Sequence, residues 1–175
     1  MIDFNAYVKA STEGKNPTYG VSGVALTPDA TPTDVVTVYA SAAKSVKVKK
    51  VIVSGVATTA GTMNVSLVKR TAANTGGTST SPSIGQFDSA DSAATATVKV
   101  YSAKPTSVGA GVAIASKALN FGVAGAAGIV EFDFTTRNDK ALYLRGAAQG
   151  MAINLNGGAV PSGGALGYAI EFEEL

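Results

Sequence analysis

The chain has 175 residues and contains neither histidine nor cysteine. Ser-His-Asp and Cys-His relays are therefore excluded, together with the commonest zinc ligand sets and any disulfide framework. Acid–base chemistry would have to come from carboxylate pairs. Glu131 with Asp133, and Glu171 with Glu173, are spaced so that a strand presents both members on one face. A glycosidase needs two such groups about 5–10 Å apart. Neither segment offers an aromatic platform for a sugar beside its carboxylates, and a solvated strand face accounts for the same spacing. Asp88 and Asp91 supply half of a calcium loop, but the remaining ligand series and its terminal Glu are missing, so an ordinary polar turn is expected. The glycines at 109 and 111, and at 122, 125 and 128, do not match the spacing of a phosphate cradle. No catalytic residue, metal site or cofactor is expected.

Binding residues are easier to nominate. Lys44, Lys47, Lys49 and Lys50 form the basic cluster. Alternation places Lys47 and Lys49 on one strand face, where they could meet an acidic neighbour or phosphates. No interleaved aromatic is present to stack on bases, and lysines also guard edge strands against unwanted pairing. Arg145, at a strand end beside Gly146, could make a bidentate contact to a carboxylate across a subunit boundary or pair locally. Ile84 and Phe87 are the large apolar side chains in a stretch of Thr, Ser, Ala, Gly and Asn that runs from Thr71 to Ala94. Ile84, Phe87, Arg145, Lys47 and Lys49 are thus the candidate inter-subunit contacts.

The elements that must position these residues are strands. Leu142 and Leu144, then Met151, Ile153 and Leu155, then Tyr168, Ile170 and Phe172 alternate with mostly polar residues, the pattern of a sheet with one buried face. Short Gly-bounded connections make an antiparallel meander the economical reading. Strands are also expected at 2–8, 19–27, 34–42, 46–53, 62–68, 95–101 and 129–134, and one interrupted strand over 112–121. The alternation of 46–53 breaks at Lys50, which calls for a bulge or an edge position. A hairpin is expected between 46–53 and 62–68. Residues 10–18 and 71–94 read as extended loops or arms; connections beyond about 15 residues without structure are uncommon and tend to bind or to be disordered. No apolar stripe at helical spacing persists. The expected fold is all-β, a single β-sandwich domain over 1–175, with the jelly roll as favoured variant.

Composition sets the limits. A chain of this length buries roughly 70% of its unfolded surface in one core. Hydrophobic residues reach 46%, yet aromatics are only 7% and tryptophan is absent, so an isolated core is thin in large side chains and some apolar surface is expected to be covered by partner subunits. A formal net charge of +2 gives no reason to expect a nucleic-acid or anionic-membrane partner. The first residues lack a basic region followed by an apolar one, so no signal peptide is expected.

Several blocks carry a resemblance. Leu144-Arg145-Gly146, Gln149, Ala152 to Gly157, Pro161-Ser162-Gly163 and the closing Ile170 to Glu174 resemble small structural proteins encoded by tailed bacteriophages. Ser66 to Thr71, Ala73 to Ser79, Ala94-Thr95-Ala96, Tyr101 and Pro105 look like the same family. These are strand and turn motifs without a catalytic signature. The resemblance implies a virion component, expected to be a capsid decoration (cement) protein on the capsid surface, assembled in a bacterial cytoplasm. Its expected partners are copies of itself, as a homotrimer, and the major capsid protein. A head-fibre, tail or baseplate component is the structural alternative. A carbohydrate-binding module is the alternative of another class, with Tyr143 and Tyr168 as its candidate stacking residues.

Overall fold

A computed structural model describes residues 16–122, 126–135 and 140–175. The strand expected at 2–8 and most of the arm expected at 10–18 lie outside them. The described chain forms twelve strands and no helix: β1 (Thr18–Leu26), β2 (Asp34–Tyr39), β3 (Val46–Val56), β4 (Gly61–Arg70), β5 (Thr78–Thr80), β6 (Gly85–Gln86), β7 (Thr97–Ala103), β8 (Gly111–Phe121), β9 (Gly128–Asp133), β10 (Leu142–Leu144), β11 (Gly150–Asn154) and β12 (Ala165–Glu174). They build two sheets packed face to face, a β-sandwich. The first has the order β10-β3-β12-β1-β6, with β9 also pairing β3; the second has the order β5-β7-β2-β11-β4-β8. Every strand ladder is antiparallel.

Alternation explains which side chains meet in the middle. Tyr19 and Val21 of β1, Val46, Val48, Val51 and Val53 of β3, and Tyr168, Ile170 and Phe172 of β12 face Val36 and Val38 of β2, Val65 and Leu67 of β4, and Met151 and Ile153 of β11. All are buried in one cluster. Each fully buried Val, Leu, Ile or Phe contributes about 1.5–3 kcal/mol, so this valine-rich layer relies on number rather than on bulk. Its aromatic anchor is the stack of Tyr19 on Phe172, with ring centroids 5.5 Å apart.

The expected meander over 140–174 is overturned. Leu142, Leu144, Met151, Ile153, Leu155, Tyr168, Ile170 and Phe172 do share one core, but β10 and β12 pair β3 in the first sheet while β11 pairs β2 and β4 in the second. The hairpin expected between 46–53 and 62–68 fails in the same way: β3 and β4 lie in opposite sheets. Alternation reports which side of a strand is apolar, and in a sandwich both sheets present that side to one core. The connections here cross between layers. At 145–149 the chain does so in a few residues, turning through Gly146 at φ +69°, a conformation glycine adopts without steric cost.

The expected break in β3 is present as a bulge. Glu171 pairs Lys50 and Phe172 pairs Val48, so Lys49 is the extra residue and Val51 and Val53 return to the core. The edge reading of this lysine-rich strand is not met, because β12 lies on one side of β3 and β10 and β9 lie on the other. The interrupted strand over 112–121 is continuous as β8, with its register shift opposite Leu67 and Val68.

Residues 71–110 are inserted between β4 and β8 and contribute β5 and β7 to the second sheet and β6 to the first. The chain crosses the outer face of the second sheet at 71–77, forms β5 beside β7, passes to the first sheet as β6 beside β1, and recrosses the outer face at 104–110. The two crossing segments meet through reciprocal hydrogen bonds between Thr75 and Ser107. They roof the second sheet, which explains why Thr37, Tyr39, Val68, Tyr101 and Ala152 are buried although they point away from the sandwich core.

Candidate interaction surface

Under the roof lies a fully paired polar cluster. Asp34, Arg70 and Asn74 are all buried. Arg70 donates to both carboxylate oxygens of Asp34, from Nε to Oδ2 at 3.0 Å and from Nη2 to Oδ1 at 2.6 Å, and from Nη1 to the Gly109 carbonyl at 2.8 Å. The side-chain amides of Asn74 and Asn154 donate to the same carboxylate. Asn74 also accepts from the Gly109 N–H, and its own N–H donates to the Tyr39 hydroxyl. These bonds fasten both crossing segments to β2 and β4. Burial, with Tyr39 alongside, raises the pKa of the Tyr101 hydroxyl beneath the same roof. The cluster positions the insertion; its acceptors and donors are spent on one another. Its sequence signal was the β-branched run of β2, which is the mark of a strand buried on both faces and requires that Asp34 be paired.

The first sheet has no such cover in the described chain, and its registry assembles four of the candidate contact residues on its outer face. Tyr143, Lys47, Glu173 and Thr18 form one row across β10, β3, β12 and β1. Phe87 follows β6, its N–H donating to the Thr18 carbonyl, and its ring lies over Gly20, where a Cβ would stand 2.9 Å from Cε1. Phe87 is 63% exposed. At the other end of the row the Arg145 guanidinium lies 5.6 Å from the Tyr143 ring centroid, within cation–π range, and forms no salt bridge among the described residues. Ile84 is separated from this group, because it packs against the sandwich core.

Lys47 and Lys49 converge on Glu173, at 3.2 and 3.0 Å. Lys50 pairs Glu131 at 3.1 Å, which raises the lysine's pKa. Lys44 pairs the buried Glu174 at 3.3 Å; that carboxylate also accepts the N–H groups of Thr95 and Ala96 across the sandwich. Every lysine of the basic cluster is therefore paired within the chain, with Lys47 and Lys49 sharing one carboxylate. Beyond the charged band Ser22 is exposed and Ala169, Ile52 and Ser54 are half-buried, with Ile129, 66% exposed, at the far margin.

Burial pushes the Glu173 carboxyl upward, but hydrogen bonds from Lys49 and Lys47 outweigh it and hold the pKa below the ordinary carboxylate value. A carboxyl depressed in the folded state stabilises fully above its unfolded pKa, and that contribution is lost as pH falls through the folded value. Glu173→Gln should therefore flatten the fall in urea midpoint below about pH 5 and lower the plateau at neutral pH by about 1 kcal/mol. An unchanged acid limb would remove this role.

The other nominated groups are quiet. Asp88 accepts the Ala90 N–H in a local turn, and no cluster of three or more acidic side chains suited to a metal ion occurs among the described residues. A depression of about 180 Å³ beside Met63, Asn64, Leu155 and Asn156 is smaller than the ~300–1,000 Å³ of small-molecule clefts. No helix among the described residues is long and apolar enough to cross a membrane. The fold and surface define a β-sandwich with one roofed sheet and one bare sheet. Comparison of the chain with family models, curated proteins and solved structures finds no match in any of the three.

Proposed function

We propose that the protein is a non-enzymatic structural component of a tailed-phage virion, most specifically a capsid decoration protein that seats its bare sheet on the outer shell. The observation that carries this reading is the asymmetry of the sheets. The outer face of the second sheet is covered over β2 and the Arg70 end of β4 by the chain's own insertion, while that of the first carries no such cover among the described residues and is bordered by exposed Phe87, Arg145 and Ile129. Aromatic residues and Arg are the residue types that most often carry interface energy. We read the pairing of β1 with β12, β2 with β11, β3 with β9 and β10, and β4 with β8 as the rolled ribbon of a jelly roll, an architecture common to viral capsid and lectin domains. That support is analogy of fold, and the resemblance of the strand and turn blocks supplies the phage setting. A homotrimer suits threefold sites on a shell, where many weak contacts add through multivalency.

Cryo-electron microscopy of the virion encoded with this chain tests the proposal directly. Density for the sandwich is expected on the shell with β1, β3 and β12 facing the capsid protein. Density on the tail would transfer the role to a tail or baseplate component, and absence of the chain from the particle would end the virion reading. On shells stripped of the protein, Phe87→Ser should weaken rebinding on the order of tenfold, the effect of losing about 1.4 kcal/mol at a hot spot.

A further inference from the structure

β8 is the longest strand at an edge of either sheet in the described chain. Its second half is supported: Leu119 and Phe121 enter the core, Val56 bridges Gly122, and Lys117 donates to the Glu131 carbonyl of β9 while lying over the Phe132 ring. The first half, Gly111-Val112-Ala113-Ile114-Ala115-Ser116, pairs β4 on one side and meets no described strand on the other. It carries no charge and no proline, and Val112 is 72% and Ile114 43% exposed. A row of open backbone N–H and C=O groups beside apolar side chains is a template for a further strand, which proteins ordinarily guard with lysine, proline, brevity or a bulge. The bulge at Ile114 is the guard present here.

No other edge among the described strands is both long and open. β9 has six residues, but it lies against the second half of β8: a Cβ on Gly128 would stand 1.6 Å from the Asn120 carbonyl, and Lys117 occupies the Glu131 carbonyl. It also carries two charges, Glu131 and Asp133. β5 and β10 have three residues each and β6 has two. Two copies that meet edge to edge through described strands therefore meet through β8. A two-fold axis sets this segment antiparallel to itself, and because it is uncharged no like charges come face to face. With the axis at Ala113, Val112 of each copy stands opposite Ile114 of the other. The two exposed branched side chains of one edge are thus matched to those of its copy, a favourable class of cross-strand pair.

We propose that two copies join through residues 111–116 of β8, antiparallel about a two-fold axis at Ala113, so that their second sheets become one continuous sheet. The contact is isologous, each edge satisfying the open backbone groups of the other. Six residues a side fall far short of the roughly 20–30 a side of a standard interface. The pairing is therefore weak in dilute solution and strengthened where copies are arrayed. It uses the lateral edge of the second sheet and leaves the bare face of the first sheet free. A two-fold contact does not itself build a trimer; it links lone copies or whole oligomers alike, and depends on neither the virion nor the trimer.

Sedimentation of the unmodified protein should show the smallest species giving way to one of twice its mass between tens and hundreds of micromolar. Ala113→Lys and Ala113→Asp should each remove the doubling, because either sets like charges opposite one another across the axis, and mixing the two variants should restore it. The absence of cysteine makes cross-linking clean. Under mild oxidation Ala113→Cys should form disulfide-linked pairs at least about tenfold faster than Ala118→Cys, because pairing raises the local thiol concentration. Ala118 is an exposed alanine of the same strand, and in this register its two copies lie about 33 Å apart at about 3.3 Å per residue. No doubling, no rescue in the mixture, or equal rates at the two positions each overturns the proposal. An edge covered by another part of the same chain, or reserved for a strand of a different protein, gives those same negative results. Should a charged variant fold poorly by its urea midpoint, sedimentation of the unmodified protein and the cysteine rates decide alone. Particle imaging, which decides the virion reading, leaves these results untouched.

Discussion

Arg70→Ala is expected to lower the unfolding free energy by about 3–5 kcal/mol, the cost of breaking a buried ion pair from one side. Asp34 would keep only the Asn74 and Asn154 amides of its four hydrogen bonds, and the Gly109 carbonyl would lose Nη1. The uncompensated carboxylate accounts for most of the loss, since the pair itself adds little over a well-packed apolar pair. The double replacement Asp34→Leu with Arg70→Met should therefore be markedly less damaging than Arg70→Ala alone. Urea denaturation reads the stability. Limited proteolysis reads the mechanism, because cuts are expected in 71–77 and 104–110 once the roof loosens. A loss below about 1 kcal/mol, or unaltered protection of those segments, would show that the cluster does not hold the insertion.

Phe172→Ala should cost a similar ~3–5 kcal/mol for a different reason, the transfer and cavity terms of deleting a fully buried ring. Phe172 is 0% exposed, sits in the central strand of the first sheet and stacks on Tyr19. A core built largely from valine has little slack to refill that volume. Tyr19→Phe provides the contrast. It keeps the stack and removes the 2.8 Å bond from the hydroxyl to the Ser92 carbonyl, so about 0.5–1.5 kcal/mol is expected. If the two substitutions moved the urea midpoint equally, the ring stack would not be the anchor of this sheet.

The two predictions differ in how they could be found from residues. Phe172 was visible because β12 alternates for its whole length. The lysine run of β3 called for a bulge or an edge position, since a charge in the inward phase requires one of the two; that β3 is an interior strand was hidden, because Lys47, Lys49 and Lys50 are paired with carboxylates from β12 and β9. The partners of Asp34 were out of reach. They are separated from it by up to 120 positions, and nothing in the polar composition of 71–94 says that its beginning folds over a sheet of the same chain.

The candidate face shows the same division. Lys47, Lys49, Arg145 and Phe87 could be nominated one by one from charge, position and isolation in polar sequence. Their assembly follows from the registers of β10, β3, β12, β1 and β6, and Ile84, nominated on the same grounds as Phe87, turns inward.

What the sequence alone determined is local: strands rather than helices, the apolar side of each strand, the break in the alternation of β3, and the exclusion of histidine and thiol chemistry. These follow from side-chain period and residue type, which act over a few positions. Sheet membership, strand order, the roof over the second sheet and the bareness of the first were decided by tertiary structure. An apolar strand side is equally satisfied by either layer of a sandwich, and only the packing of all the strands around one core selects between them.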